Sequence, residues 1–331
     1  MAVQCNCSYI ACTWHLLELP IHHCLLFLRE SPLKGLPTRQ RVAHHTVSAT
    51  LLEPTHCKSM SNSFRLTAAT GLHKGDRQYQ QDQVAILQHP RNQDCVLAVI
   101  ADGMGGRSGG RKAADQVLLT AKQLLERFDP QTDEPSALLQ NIVKEAHLVI
   151  RLTAISAEQE PHSTIAAFLI TPQGQCFSVH AGDSRFYHFQ SGRLVFRTKD
   201  HSYVQSLIDS GELSEEQAEG HPSSNMLLGC LGTEVDPPAP IHAVRKLAPG
   251  DAFLACSDGL WAYFSPSELG QTVHMLTAKE AAMFLVSKAR ERAQGLGDNL
   301  SVVIFKLEPL IEQENVKARE SLHKVNPGLA V

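Results

Sequence analysis

The sequence has no surplus of basic charge. Its 331 residues include 30 Lys and Arg against 34 Asp and Glu, a formal net charge of −4. A general nucleic-acid binder carries cations that replace the counterions of the phosphate backbone, so that class is disfavoured. Long apolar runs are missing as well. The most apolar stretch near the start, residues 16–28, is shorter than the roughly 20 residues of a membrane span and is interrupted by Glu18, Pro20, His22 and His23. No basic residue precedes it, the first being Arg29, so the positive start of a secretory signal is lacking. There is no internal repeat and no low-complexity block. A disulfide framework is also absent from the larger part of the chain. Cys95, Cys176, Cys230 and Cys256 are single and widely spaced, three of them inside apolar runs, and read as reduced core residues of a cytoplasmic protein.

Aspartate is wholly absent from residues 1–59, which hold five of the nine Cys and six of the 17 His. That stretch has five basic and three acidic residues, leaving 25 basic and 31 acidic, a net of −6, for residues 60–331. Cys5, Cys7, Cys12 and His15 do not have the spacing of a common closed zinc site. Residues 1–59 are therefore expected to be a leader outside the fold. Met60 would open the folded part, with residues 60–308 forming one domain and 309–331 a C-terminal tail.

What is present is regular. Hydrophobic residues make up 43% of the chain, enough for a sizeable core. Runs at 84–87 and 95–100 have strand length, and the second is continuous, which implies cover on both faces. Ala114, Val117, Leu118, Ala121, Leu124, Leu125 and Phe128 recur at helical spacing, as do Leu139, Ile142, Val143, Ala146, Val149 and Ile150. Short strands are expected at 164–170, 176–181, 185–190 and 193–197, separated by Pro172-Gln-Gly174, Gly182-Asp-Ser184 and Ser191-Gly192. A polar stretch at 201–240 leads to strands at 241–247 and 252–256, a helical region at 266–294 and a closing strand at 301–307. Helices placed in pairs between antiparallel strands predict an α+β fold, with sheets packed together and helices outside.

Three aspartates have similar local settings. Asp102 ends the run from Cys95 and precedes Gly103; Asp258 ends Phe253-Leu-Ala-Cys-Ser257 and precedes Gly259; Asp298 precedes Asn299-Leu-Ser-Val-Val-Ile-Phe305. Asp-Gly is also a common turn dipeptide, so each alone is weak. A carboxylate at the edge of a buried strand is costly to desolvate without a cation or several donors. Three brought together would make an oxygen-rich pocket for Mg²⁺ or Mn²⁺.

Six blocks stand in one order: Gly75-Asp-Arg-Gln-Tyr-Gln-Gln-Asp82, Ala101-Asp-Gly-Met-Gly-Gly106, Gly182-Asp-Ser-Arg185, Thr198-Lys-Asp-His-Ser202, Cys256-Ser-Asp-Gly-Leu-Trp261 and Gly297-Asp-Asn-Leu-Ser301. In these the chain resembles the metal-dependent protein phosphatases of the 2C family, from about residue 68 to 307. The short Asp-Gly-Met-Gly-Gly form looks bacterial. The resemblance implies a four-layer α-β-β-α sandwich, with two central antiparallel sheets flanked by helices. It implies a serine/threonine phosphoprotein phosphatase that uses two Mn²⁺ or Mg²⁺ ions and a bridging hydroxide. Under it, Asp102 bridges both ions, the Gly103 carbonyl binds one of them, and Asp258 and Asp298 hold the other. Asp82 orients metal-bound waters, and Arg77 binds the phosphoryl group. Substrates would be phosphorylated Ser/Thr proteins, a cognate Ser/Thr kinase or its targets among them. The rival reading is a catalytically weak phosphatase-like scaffold that binds phosphoproteins.

Several positions depart from the family pattern. Gln80 and Gln81 replace Asn and often Glu; Gln81 would still hydrogen-bond a metal-bound water, with one charge fewer. Met104 stands where many members have His, leaving protonation of the leaving oxygen to water or to a histidine such as His201. Glu158 or Glu160 would have to replace the usual Asp of a third metal site. Asp183 and Asp200 are expected to organise turns, and Trp261 to be a core aromatic. The flap-like segment at 201–232 lacks the Arg common near its centre.

Overall fold

The computed structural model of the chain describes residues 64–157, 160–218 and 220–309. The expected leader at 1–59 and nearly all of the expected tail lie outside them. In chain order the first elements are β1 (Phe64–His73), β2 (Gln83–His89), β3 (Asn92–Ala101), β4 (Gly103–Met104), α1 (Gly106–Arg127) and α2 (Pro135–Ala157). Then come β5 (His162–Ser163), β6 (Ile165–Thr171), β7 (Gln175–Ala181), β8 (Arg185–Gln190), β9 (Arg193–Arg197), α3 (Tyr203–Ser210) and α4 (Glu215–Ala218). The last are β10 (Ile241–Val244), β11 (Asp251–Cys256), α5 (Asp258–Trp261), α6 (Pro266–Met275), α7 (Ala278–Ala293) and β12 (Leu300–Pro309).

Continuous apolar strands need cover on both faces, and two stacked five-stranded sheets provide it. Their spatial orders are β1-β12-β11-β8-β9 and β10-β7-β6-β3-β2, with every pairing antiparallel. Side chains alternate between faces, so each central strand feeds two cores. In β3, Val96, Ala98 and Ile100 enter the core between the sheets, where Phe168, Phe186, Phe253 and Phe305 also meet. Cys95, Leu97, Val99 and Ala101 point the other way, against Ala114, Val117 and Ala121 of α1 and Leu139, Ile142 and Ala146 of α2. Likewise Leu300, Val302 and Ile304 of β12 face Leu269 and Val273 of α6 and Ala281, Leu285 and Ala289 of α7. The four-layer α-β-β-α sandwich is therefore the observed architecture, and Phe168 meets Phe305 edge-on at 5.0 Å in its central layer. Cys95, Cys176, Cys230 and Cys256 are free and buried. No helix among the described residues is long and apolar enough to cross a membrane.

The differences from expectation are local. The strand β1 lacks a strong pattern of its own and is held by ten-residue pairing with β12. Helix α1 starts at Gly106, inside the glycine-rich block rather than near Ala114, because Gly105 turns the chain at φ 110°. Its first turns are polar and glycine-rich, so apolar periodicity reports only the later, buried part. The region 266–294 is two helices, since Thr277 starts a second one with a reciprocal cap to Glu280. Strand β10 stops at Val244, short of 247.

Candidate metal centre

Antiparallel register brings the aspartates to one end of the sandwich. Gln83 is the partner of Ala101, which sets Asp82, just before β2, beside Asp102, just after β3. Cys256 is the partner of Val302, which sets Asp258 beside the start of β12 and the preceding Asp298. Asp183 joins them from the turn between β7 and β8, because Ile165 pairs with Ala181. Thr164 ties this turn to the site: its amide donates to the Asp102 carbonyl at 2.8 Å, its Oγ1 accepts from the Asp102 amide at 3.1 Å and meets Ser184 Oγ at 2.7 Å.

The group is electrostatically crowded. Burial first, then Asp82, Asp258, Asp183 and Asp298, pushes the Asp102 carboxyl well above the usual range. Burial, then Asp183, Asp82 and Asp298, does the same to Asp258. Asp82 is fully buried. Desolvation raises it to about 6 against hydrogen bonding from Ser257, Ser301 and Asp102. Its Oδ2 accepts from Ser257 Oγ at 2.6 Å, while its Oδ1 is buried without a hydrogen-bond partner. Asp183 is also raised to about 6, by burial and then by Asp200.

Asp298 sits at the rim. Its Oδ2 accepts from Arg77 at 2.5 Å and its Oδ1 from the Asn299 amide at 2.7 Å. Asp298 and, more weakly, Asp258 and Asp102 hold the Arg77 guanidinium protonated more firmly than usual. Gly103 lies beside Asp102 through its pairing with Ser163. A Cβ at Gly103 would overlap the Gly110 carbonyl oxygen, so no side chain fits between these backbones.

Among the described residues, no three or more His, Cys, Asp or Glu side chains are closed around one point as a finished metal cage. The donors nevertheless suit a hard divalent cation. They are all oxygens, the buried Oδ1 of Asp82 lacks a partner, and packed, desolvated carboxylates are what a cation stabilises.

A profile of the family described as protein phosphatase 2C matches residues 71–301, more than two thirds of the chain. The chain belongs to the protein phosphatase 2C family. Among its relatives, the serine/threonine protein phosphatase PstP of Mycobacterium tuberculosis is 32% identical over 229 residues, covering 66% of this chain but 42% of that protein. The Listeria monocytogenes serine/threonine phosphatase stp is 30% identical over 235 residues, covering 69% of this chain and 90% of that one. The chain thus spans less than half the length of the mycobacterial relative. The crystal structure of that M. tuberculosis phosphatase superposes with a TM-score of 0.64 at 29% identity, over 73% of this chain and 99% of that one. The PstP catalytic domain is also known in complex with two manganese ions, with a TM-score of 0.61 at 27% identity, over 74% of this chain and 99% of that one.

Within this protein phosphatase 2C domain, some expected residues have other employment. Gln81 spends its side-chain nitrogen on the Gly106 carbonyl at 2.8 Å, and Gln80 bonds the Asp82 carbonyl at 3.2 Å. Glu158 lies outside the described residues. Glu160 is exposed, and what it places against Gly105 is its backbone carbonyl. His201 is a poor proton donor: it stacks on His180 at 4.3 Å, and burial with the neighbouring imidazole lowers it to about 4. Asp200 does organise a turn, through a forked pair with Arg185 at 2.8 and 2.7 Å. Asp183 stands in the expected turn between β7 and β8 and is also a member of the carboxylate group. Trp261 packs against the core of the second sheet as a half-buried aromatic, and in addition donates from Nε1 to the Asp183 carbonyl at 2.9 Å and carries Arg185 over its ring.

Three contributors were missed. Asn299 clamps the opening block, giving Nδ2 to the Lys74 and Tyr79 carbonyls at 2.7 and 2.9 Å and accepting from the Gln81 amide at 2.7 Å. Ser257 and Ser301 bond each other and support Asp82. Their signal was available: hydroxyls inside otherwise apolar strand ends need buried partners.

Proposed function

We propose that the chain is a metal-dependent protein-serine/threonine phosphatase that hydrolyses phosphomonoesters at the Asp102–Asp258–Asp298 end of the sandwich. The observation that carries this reading is the gathering of five aspartates, Asp82, Asp102, Asp183, Asp258 and Asp298, with a guanidinium, Arg77, at their rim. Asp102, the Gly103 carbonyl, Asp258 and Asp298 would hold two ions, Mn²⁺ or Mg²⁺. Bound there, the ions would supply Lewis acidity, activating water as the nucleophile and offsetting charge on the phosphoryl oxygens. Asp82, braced by Ser257, sets the polarity behind that position. Arg77, planar and forked, orients two phosphoryl oxygens. Met104 offers no proton and His201 is neutral above pH of about 4, so the leaving oxygen takes its proton from solvent. A third ion at Glu158 and Glu160 forms no part of this reading, because Glu160 is exposed.

The names of the Mycobacterium and Listeria relatives support phosphoproteins as substrates, and the manganese-bound PstP domain supports Mn²⁺; a Ser/Thr kinase or its targets are proposed among those substrates. Four free buried cysteines fit a reducing, cytoplasmic location. Residues 60–308 are proposed as the catalytic unit. The test is hydrolysis of p-nitrophenyl phosphate by the full chain, titrated with Mn²⁺ and then with EDTA. Turnover that rises with Mn²⁺ and is abolished by chelation is expected. No turnover at any Mn²⁺ concentration would leave the phosphoprotein-binding scaffold standing instead.

A further inference from the structure

Arg77 and Asp298 are only partly buried, with side chains 63% and 40% exposed, yet they are joined at 2.5 Å. Both carboxylate oxygens of Asp298 are engaged: Arg77 takes Oδ2, and the Asn299 amide takes Oδ1. The amide is fixed by the backbone, since Asn299 is itself pinned to Lys74 and Tyr79. The guanidinium is the partner free to leave. Its own segment stays in place when it does, because Asp76 is tied separately to Arg290 at 2.7 Å and to the Gly297 amide at 2.8 Å.

A cation that takes Asp298 Oδ2 competes with Arg77 Nη2 for that oxygen, and an anion that takes the whole guanidinium fork draws Nη2 away from it. We propose that Arg77 is a built-in competitor for the cation at Asp298, so that cation binding at the carboxylate and phosphoryl binding at the guanidinium are coupled through one ion pair. This rests on the reading that Asp298 holds a cation. The two ligands break the same contact, so each lowers the cost of binding the other, and the coupling is reciprocal. Arg77 thus has two successive partners, a carboxylate and then a phosphoryl group, both suited to its planar fork.

The test is Mn²⁺ binding by titration calorimetry on the full chain, for wild type, Arg77→Ala, Asp298→Asn and the double variant, with and without inorganic phosphate. Arg77→Ala is expected to tighten Mn²⁺ binding at Asp298 by up to about fivefold, the scale of an exposed ion pair. In the Asp298→Asn background the same substitution should leave the remaining Mn²⁺ affinity unchanged. Phosphate should tighten Mn²⁺ binding more in wild type than in Arg77→Ala. Unchanged or weaker Mn²⁺ binding by Arg77→Ala overturns the competitor role while leaving the metal centre intact. Equal tightening in both backgrounds also overturns it, since the arginine would then act through its field alone. A wild-type chain that binds no Mn²⁺ overturns the metal reading and this inference together.

Discussion

Strand β11 has an aspartate near each end, Asp251 buried and Asp258 half-buried, and the two are treated in opposite ways. Asp251, at its start, is saturated: Oδ1 meets His188 Nε2 at 2.9 Å and accepts from Gln190 Nε2 at 2.7 Å, and Oδ2 accepts from the Ala248 amide at 2.7 Å. Asp258, just past its other end, lies among Asp82, Asp102, Asp183 and Asp298, neighbours that mostly repel it. One end of the sandwich uses a carboxylate to close its structure. The other concentrates carboxylates beyond what its own donors satisfy, which is the arrangement the proposed cations would relieve. Helix starts show the same division. Helices α6 and α7, on the outer layer, open with complete capping boxes at Ser265/Glu268 and Thr277/Glu280, while α1, beside Asp102, opens on Gly105 with no side-chain cap.

The sharpest way to test this contrast is Asp258→Asn. Turnover of p-nitrophenyl phosphate should fall by at least about a hundredfold, while melting in EDTA should move up by a few degrees because a repelling charge is gone. A lower melting point would place Asp258 with Asp251 and end the comparison. Asp251→Ala should do the reverse. It strands His188, Gln190 and the Ala248 amide, and is expected to cost about 3 kcal/mol, roughly 6–12 °C in a domain of this size by thermal melting.

The recess also sets a pH dependence. Asp82 and Asp183 have folded-state values raised to about 6, above the roughly 3.9 of an unfolded Asp. The folded chain therefore binds more protons between those limits, and stability falls as pH rises from about 4 through about 6. Melting in EDTA across that window should show the decline, and saturating Mn²⁺ should flatten it; an equal slope with Mn²⁺ would detach the recess from cation binding. The smallest expected effect is on the outer layer, where Thr277→Ala should cost about 1 kcal/mol and leave turnover unchanged.

How much of this was legible in the sequence depended on the range of the interaction. The unbroken apolar run at 95–100 announced a strand covered on both faces, and Asp102, Asp258 and Asp298 announced themselves by ending or opening such strands. Thr277-Ala-Lys-Glu280 carried a readable helix start that apolar periodicity alone ran through. By contrast, Asp183 stood in an ordinary Gly-Asp-Ser turn, and only the pairing of β6 with β7 turned it toward the recess. Trp261 looked like packing because nothing local reveals that its Nε1 meets a carbonyl 78 residues away.

The sequence by itself determined the order of layers, the identity of the strand-end carboxylates and the family blocks that contain them. These follow from side-chain period and from local backbone chemistry, which act within a few residues. Only the tertiary structure decided the company each group keeps. Ser257 reaches Asp82 across 175 positions of chain and Arg77 reaches Asp298 across 221. Such contacts arise from strand register and sheet stacking, and so do the desolvation and repulsion among the aspartates at this end of the sandwich.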